Sequence, residues 1–147
     1  IKFNPQNNAE IAFGNYLSGE GELSSPTQIE LTTDHLVLVS DAIENGIFIY
    51  DYFGNFLNKI TNSSIKQAAG ITIDNKNRIY LTDLEGAAIY IFTINGKLVE
   101  RVHLIGGLPL KHPRDIAVYH NKSKEYEYNL YLIDGDLVKI AGLKYSK

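Results

Sequence analysis

Residues Ile29–Ile60 read IELTTDHLVLVSDAIENGIFIYDYFGNFLNKI, and 42 positions later Ile71–Val102 read ITIDNKNRIYLTDLEGAAIYIFTINGKLVERV. The two stretches align without a gap: Asp41 falls on Asp83, Ile47 on Ile89 and Gly54 on Gly96, and five of the 32 aligned positions are identical. Ten more keep apolar, aromatic, hydroxyl or basic character, among them Leu31/Ile73, Ser40/Thr82, Tyr50/Phe92 and Lys59/Arg101. A fixed period of this kind is a statement about architecture, because each copy is one unit that buries its faces against its neighbours. Both copies hold four short apolar runs, near 29–32, 36–40, 47–51 and 56–60, then 71–74, 78–82, 89–93 and 98–102. Such runs bounded by turn formers are strands rather than amphipathic helices. LVLV and IFIY lack in-out alternation, so both faces of those strands are expected to be covered. The pattern predicts an all-β chain of β-propeller blades, each of four antiparallel strands.

A third copy follows. His112-Pro113-Arg114-Asp115-Ile116 matches Ser25-Pro26-Thr27-Gln28-Ile29, and Leu132-Ile133-Asp134 matches Val39-Ser40-Asp41, with six extra residues between them (134−116 = 18 against 41−29 = 12). The charged, tyrosine-bearing run HNKSKEYEYN at 120–129 is the place for that insertion. One more strand fits near 137–141, and a fourth is missing from this blade. A strand within 9–14 precedes the first full copy, where the last strand of another blade would lie. The blades are therefore placed at about 26–60, 68–102 and 113–141 of a single 1–147 unit, a partial or half propeller. Asn95-Gly96 predicts a two-residue hairpin turn with positive φ at both central positions.

GEGELSSPTQIEL, then VSD, then IFIYDYFGNFLNKI resembles the NHL repeat: a glycine-rich lead-in, Pro, an apolar strand, an Asp ending the second strand and a hairpin into a fourth. The likeness spans about 9–141 and departs from the pattern at Ala68-Ala69-Gly70, which lacks the Pro, and in the enlarged third copy. The resemblance implies a six-bladed ring. Three blades are too few, since propellers run from about 4 to 8; the expectation is either that the chain is a segment of a longer protein or that a protein partner or second copy supplies the other blades and completes the ring. It also implies a non-catalytic binding or scaffold module for a protein or a small ligand. The alternative is a hydrolase or lyase of the lactonase type, which shares the blade without sharing the function.

The candidate residues divide into three groups. Asp41, Asp83 and Asp134 recur at one place in the repeat, and an Asp at a strand end accepts bonds from turn N–H groups, so their expected role is structural. The first strand of each blade lines the channel of a propeller, which makes Gln28, Glu30, Thr72 and Asp115 the channel-lining candidates. A lactonase-like enzyme would use carboxylates such as Glu30 and Asp115 to hold a calcium ion that polarises a carbonyl; no cofactor is expected otherwise. In the inserted hairpin, Tyr126 and Tyr128 fall on one face of an extended segment and Glu125 and Glu127 on the other, a candidate surface for a protein partner. No metal-binding histidine spacing, GxSxG elbow or nucleotide-binding loop is present.

Cysteine is absent, which excludes a disulfide framework and cysteine-ligated zinc. Methionine is absent too, including at position 1, and a removed signal peptide with an extracytoplasmic location is the expectation. No run approaches the ~18 apolar residues of a membrane span. Positions 1–60 carry two basic and eight acidic residues, whereas 111–147 carry seven basic and five acidic. Some NHL proteins bind RNA through a basic stripe, but the net charge of −3 and its distribution here argue against nucleic acid.

Overall fold

The computed structural model describes residues 2–3, 9–14, 19–120 and 127–144. Apart from a single 3-10 turn at Gly19–Gly21, the regular structure among them is entirely β. β1 (Lys2–Phe3) and β2 (Ala9–Ile11) pair as a small antiparallel ribbon. The first blade is the meander β3 (Pro26–Leu31), β4 (Val37–Asp41), β5 (Gly46–Tyr50) and β6 (Phe56–Thr61). The second repeats it with β7 (Ala68–Ile73), β8 (Arg78–Asp83), β9 (Ala88–Thr93) and β10 (Leu98–Val102). A short hairpin, β11 (Leu104–Ile105) and β12 (Leu108–Pro109), then leads into a third, three-stranded sheet of β13 (Pro113–His120), β14 (Glu127–Asp134) and β15 (Leu137–Lys144).

The repeat extends to backbone conformations that residue identity alone does not show. Positive φ occurs at His35 and Asn77, at Asn45 and Ala87, and at Gly54 and Gly96, each pair 42 positions apart. The Asn95-Gly96 turn differs from the sequence expectation: only the Gly has positive φ, at 85°. Thr93 N–H donates to the Lys97 carbonyl at 2.9 Å and Gly96 N–H to the Thr93 carbonyl at 2.9 Å, which closes a three-residue loop ending in a left-handed glycine. Asp51–Asn55 repeats those bonds around Gly54. In each case the strand that follows is offset by a bulge.

The middle strands β4, β5, β8 and β9 are buried on both faces, as their unalternating sequences require. Between blades one and two, Leu38, Ile47, Ile49 and Ile60 meet Ile71, Ile79, Leu81, Tyr90 and Phe92. Adding 42 to the first four gives Tyr80, Ile89, Ile91 and Val102, and these pack against Ile116, Tyr128, Leu130 and Leu132 of blade three. The same positions thus form the forward face of each blade in turn. The other face of blade one, with Val37, Val39, Phe48 and Tyr50, is covered by Phe13 and Leu23. Phe13 and Tyr50 have ring centroids 4.8 Å apart.

The six extra residues of blade three lengthen its strands, since β13 and β14 pair as far as His120 and Tyr128, and β15 continues to Lys144. Replacing Leu81, fully buried between blades one and two, by Ala should cost about 2–5 kcal/mol. Equilibrium urea unfolding monitored by circular dichroism checks this.

Candidate functional site

The three blades are held in place where each first strand begins. Asp41, at the end of β4, accepts the N–H groups of Ser24 and Ser25 through Oδ2, at 2.7 and 2.8 Å, and those of Ile43 and Glu44 through Oδ1. Asp83 takes Lys66 and Gln67 N–H at 3.1 and 2.9 Å. Asp134 takes Lys111 and His112 N–H at 2.9 and 2.7 Å. Each carboxylate therefore reaches back across the sheet to the segment that leads into its own first strand. Asp134 also receives Lys139 Nζ at 2.6 Å. Burial pushes its carboxyl up, but the bonds from Lys139, Lys111 and His112 outweigh that and hold it below the ordinary Asp value.

This anchoring brings β3, β7 and β13 together at one end, where a cavity of about 450 Å³ is lined by Thr27, Gln28, Ala69, Gly70, Leu84, Arg114 and Asp115. The lining combines two consecutive residues from each first strand. All three strands carry a register irregularity there, between Pro26 and Gln28, Ala68 and Ile71, and Pro113 and Asp115. A bulge re-aims side chains and so places neighbours in sequence at one mouth. Strict alternation selects Gln28 and Asp115 and misses Thr27 and Arg114. The signal for the missed pair was the shared repeat position beside the Pro.

Several mouth groups are committed to the fold. Gln28 Oε1 accepts Ile71 N–H at 2.7 Å, tying blade one to blade two. Thr27 Oγ1 and Ser40 Oγ both reach the Ala69 carbonyl, at 3.0 and 2.6 Å. Asp115 Oδ1 accepts Ile116 N–H at 2.8 Å. The Arg114 guanidinium is exposed and has no partner among the described residues. Glu30 and Thr72 lie two residues further along their strands, outside this lining; burial raises the Glu30 carboxyl. No group of three His, Asp or Glu side chains able to hold a metal occurs among the described residues.

The insertion contributes differently from the docking hairpin expected. Glu125 and Tyr126 lie outside the described residues, and Glu127 is half-buried at the start of β14. Tyr128 is buried against blade two, because it shares its face of β14 with Leu130 and Leu132. Its hydroxyl lies 2.9 Å from that of Tyr80 and accepts Arg78 Nη2 at 3.1 Å. Tyr80 and Arg78 Nε both donate to Asp74 Oδ2, at 2.9 and 3.0 Å. Tyr80 is the donor towards Tyr128 as well as towards Asp74, so its one hydrogen lies between two acceptors, and the four side chains form a closed ring of contacts. Burial and the Tyr128 contact push the Tyr80 phenol well above its ordinary range. Beside it, His120 Nε2 accepts Asn75 N–H at 3.1 Å.

No family model matches the chain. Protein brain tumor of Drosophila melanogaster is 22% identical over 101 residues, which cover 67% of this chain and 10% of that protein. Saccharomyces cerevisiae Sqt1 superposes with a TM-score of 0.60 at 12% identity, over 87% of this chain and 32% of that one. A catalytically inactive virginiamycin B lyase from Staphylococcus aureus, solved with quinupristin, gives 0.60 at 15% identity, over 84% and 43%. A Bacteroides caccae protein of unknown function gives 0.61 at 15%, over 75% and 39%. The chain spans a tenth of the curated relative and less than half of each of these structures. The fold is that of a partial β-propeller with NHL-like repeats. No helix among the described residues is long and apolar enough to cross a membrane.

Two outcomes follow from this geometry. A carboxyl held low in the folded state stabilises above the unfolded pKa of about 3.9 and loses that contribution as pH falls through the folded value. Thermal melts should therefore show acid destabilisation that is smaller in Asp134→Asn than in the parent. At Gly70, a Cβ would stand 2.6 Å from the Asp115 Cα and 3.0 Å from the Arg114 carbonyl, both backbone atoms that cannot swing aside. Gly70→Ala should destabilise by about 1–3 kcal/mol in urea unfolding.

Proposed function

We propose that the chain is a non-catalytic binding module that takes an acidic group, on a peptide or a small ligand, at the mouth formed by β3, β7 and β13. The observation that carries this reading is Arg114, an exposed guanidinium on an open cavity where Thr27 Oγ1, Gln28 Oε1 and Asp115 Oδ1 are each bonded within the fold. A guanidinium presents paired donors to a carboxylate, and a charge-assisted bond of this kind contributes about 1.5–3 kcal/mol. Gln28, Thr27 and the Gly70 backbone form a fixed floor, which spares the ordering cost of a flexible site. Propeller neighbours include one solved as a lyase, so turnover is the rival outcome.

Fluorescence anisotropy with a labelled panel of acidic peptides, each paired with its amidated counterpart, tests the reading. Binding should favour the carboxylate form, and Arg114→Ala should weaken it about tenfold or more, as loss of one such bond implies. Equal binding of carboxylate and amide forms, or an unaffected Arg114→Ala variant, would overturn it. Calcium-dependent hydrolysis of lactone or ester substrates, abolished by chelation, would replace it with the hydrolase reading.

A further inference from the structure

Blades one and two carry different charge at one point of the repeat. Beside Phe48 and Lys59 in blade one lies a cavity of about 310 Å³, lined also by Glu20, Glu22, Ser24 and Glu44. Lys59 Nζ stands 4.9 Å from the centre of the Phe48 ring and bonds Glu44 Oε2 at 2.6 Å, while Ser24 Oγ donates to Glu44 Oε1 at 2.8 Å. The cation of blade one is thus met by a carboxylate. The cation and ring recur 42 positions later as Arg101 and Tyr90, with the guanidinium carbon 5.2 Å from the ring centre. The acids do not recur: Asn62, Ser64 and Gly86 stand in the places of Glu20, Glu22 and Glu44, and Lys66 stands in the place of Ser24. A side chain at Gly86 would run into the Asp83 carboxylate, so this turn has no room for the acid that blade one holds there.

Around Tyr90 this leaves a set of donors without an acceptor. Tyr90 is completely buried between blades one and two, yet its hydroxyl makes no hydrogen bond among the described residues. Arg101 and Ser64 stand beside that hydroxyl without bonding to it, and burial pushes the phenol up against the pull of the Arg101 charge. Arg101 is exposed and makes no ion pair among the described residues. Ser64 N–H is taken by Asn62 Oδ1 at 3.0 Å, and its hydroxyl is the group beside Tyr90. A buried hydroxyl left unpaired costs free energy, which a ligand bringing an acceptor recovers. We propose that Arg101, Lys66, Ser64 and Tyr90 form a binding site for a phosphate group, inorganic or carried as a monoester. The single cation of blade one is matched by one carboxylate; two cations and two hydroxyls match a group close to a dianion with three acceptor oxygens. A guanidinium offers paired donors in a plane suited to phosphate, and a lysine adds a point charge. The four residues lie in blade two and the segment leading into it, and none of them lines the mouth that holds Arg114.

Titration with inorganic phosphate, followed by heteronuclear NMR, should move the Ser64 and Lys66 amides and the Arg101 Nε–H saturably. Arg101→Ala should weaken the binding about tenfold or more, as loss of a charge-assisted contact implies. Ser64→Glu, which brings back the acid of blade one, should abolish it. Tyr90→Phe copies Phe48 of blade one; it should bind phosphate several-fold more weakly while melting no lower than the parent in phosphate-free buffer, because the hydroxyl it lacks was unpaired. Arg114→Ala should leave the titration unchanged, and acetate should leave the same signals unmoved. The absence of saturable shifts at tens of millimolar phosphate overturns the proposal. So do Arg101→Ala and Tyr90→Phe variants that bind as the parent does, a titration lost in Arg114→Ala, or acetate that binds as tightly as phosphate. If Arg101→Ala fails to fold, Tyr90→Phe carries the same test. A phosphoserine peptide titrated in parallel separates the sources: tighter binding than inorganic phosphate assigns the group to a phosphorylated polypeptide, equal binding to the free ion, and either supports the site.

Discussion

The structure depends on one repeated constraint, a buried aspartate whose carboxylate bonds to the backbone N–H groups leading into its own blade's first strand. Asp41, Asp83 and Asp134 are almost fully buried, and a buried carboxylate is tolerated only when its oxygens are satisfied. Asp41 meets four N–H groups, two on each oxygen. At Asp41 asparagine is disfavoured, because its amide nitrogen would face two N–H donors. The bond spans 16 to 17 residues in the first blade and 22 to 23 in the third, so it survives the insertion between β13 and β14. It is the means by which a sequence of modest similarity keeps its period.

Once the first strands are anchored, the faces follow. Blade-to-blade packing is apolar and uses the same positions each time, while polar links differ from one interface to the next. Blade one is tied to blade two by Gln28 and Ile71 N–H, and by Thr27 and Ser40 to the Ala69 carbonyl. Blade two is tied to blade three by the Arg78, Tyr128, Tyr80 and Asp74 cycle and by His120. The second interface needs long side chains because β13 and β14 extend beyond the neighbouring strands, and their extra length must be fastened to something. Polar groups buried in such a cycle cost little only when every member is paired.

The period, the four-strand units and the three turn aspartates were legible in the sequence, because each is carried by residue type at a fixed spacing. The mouth was half legible. Gln28 and Asp115 followed from their place in the channel-lining first strands, but Thr27 and Arg114 depend on a bulge, a backbone event whose one mark in the sequence is the shared position after the Pro. Ala68-Ala69-Gly70 departs from the pattern at Ala68, where the Pro would stand; Gly70, the repeat equivalent of Gln28, has a steric cause of its own, since β13 passes so near that no Cβ fits. Tyr128 was misplaced on a docking face for a related reason. Its alternation with Leu130 and Leu132 was visible, but treating the insertion as a separate hairpin cut that strand short.

These features separate what the fold fixes from what it leaves free. Anchor positions repeat as Asp in every blade, and forward-face positions repeat as apolar or small hydroxyl residues. The mouth positions do not repeat: Thr27, Ala69 and Arg114 share one place in the unit, as do Gln28, Gly70 and Asp115. A position under packing constraint has few acceptable residues, whereas one facing an open cavity is limited mainly by what must be bound there. Blades of equivalent backbone thus present different chemistry at a common centre. Arg114 brings charge to that centre and Gly70 brings space, so the difference between the repeats is concentrated where the first strands meet.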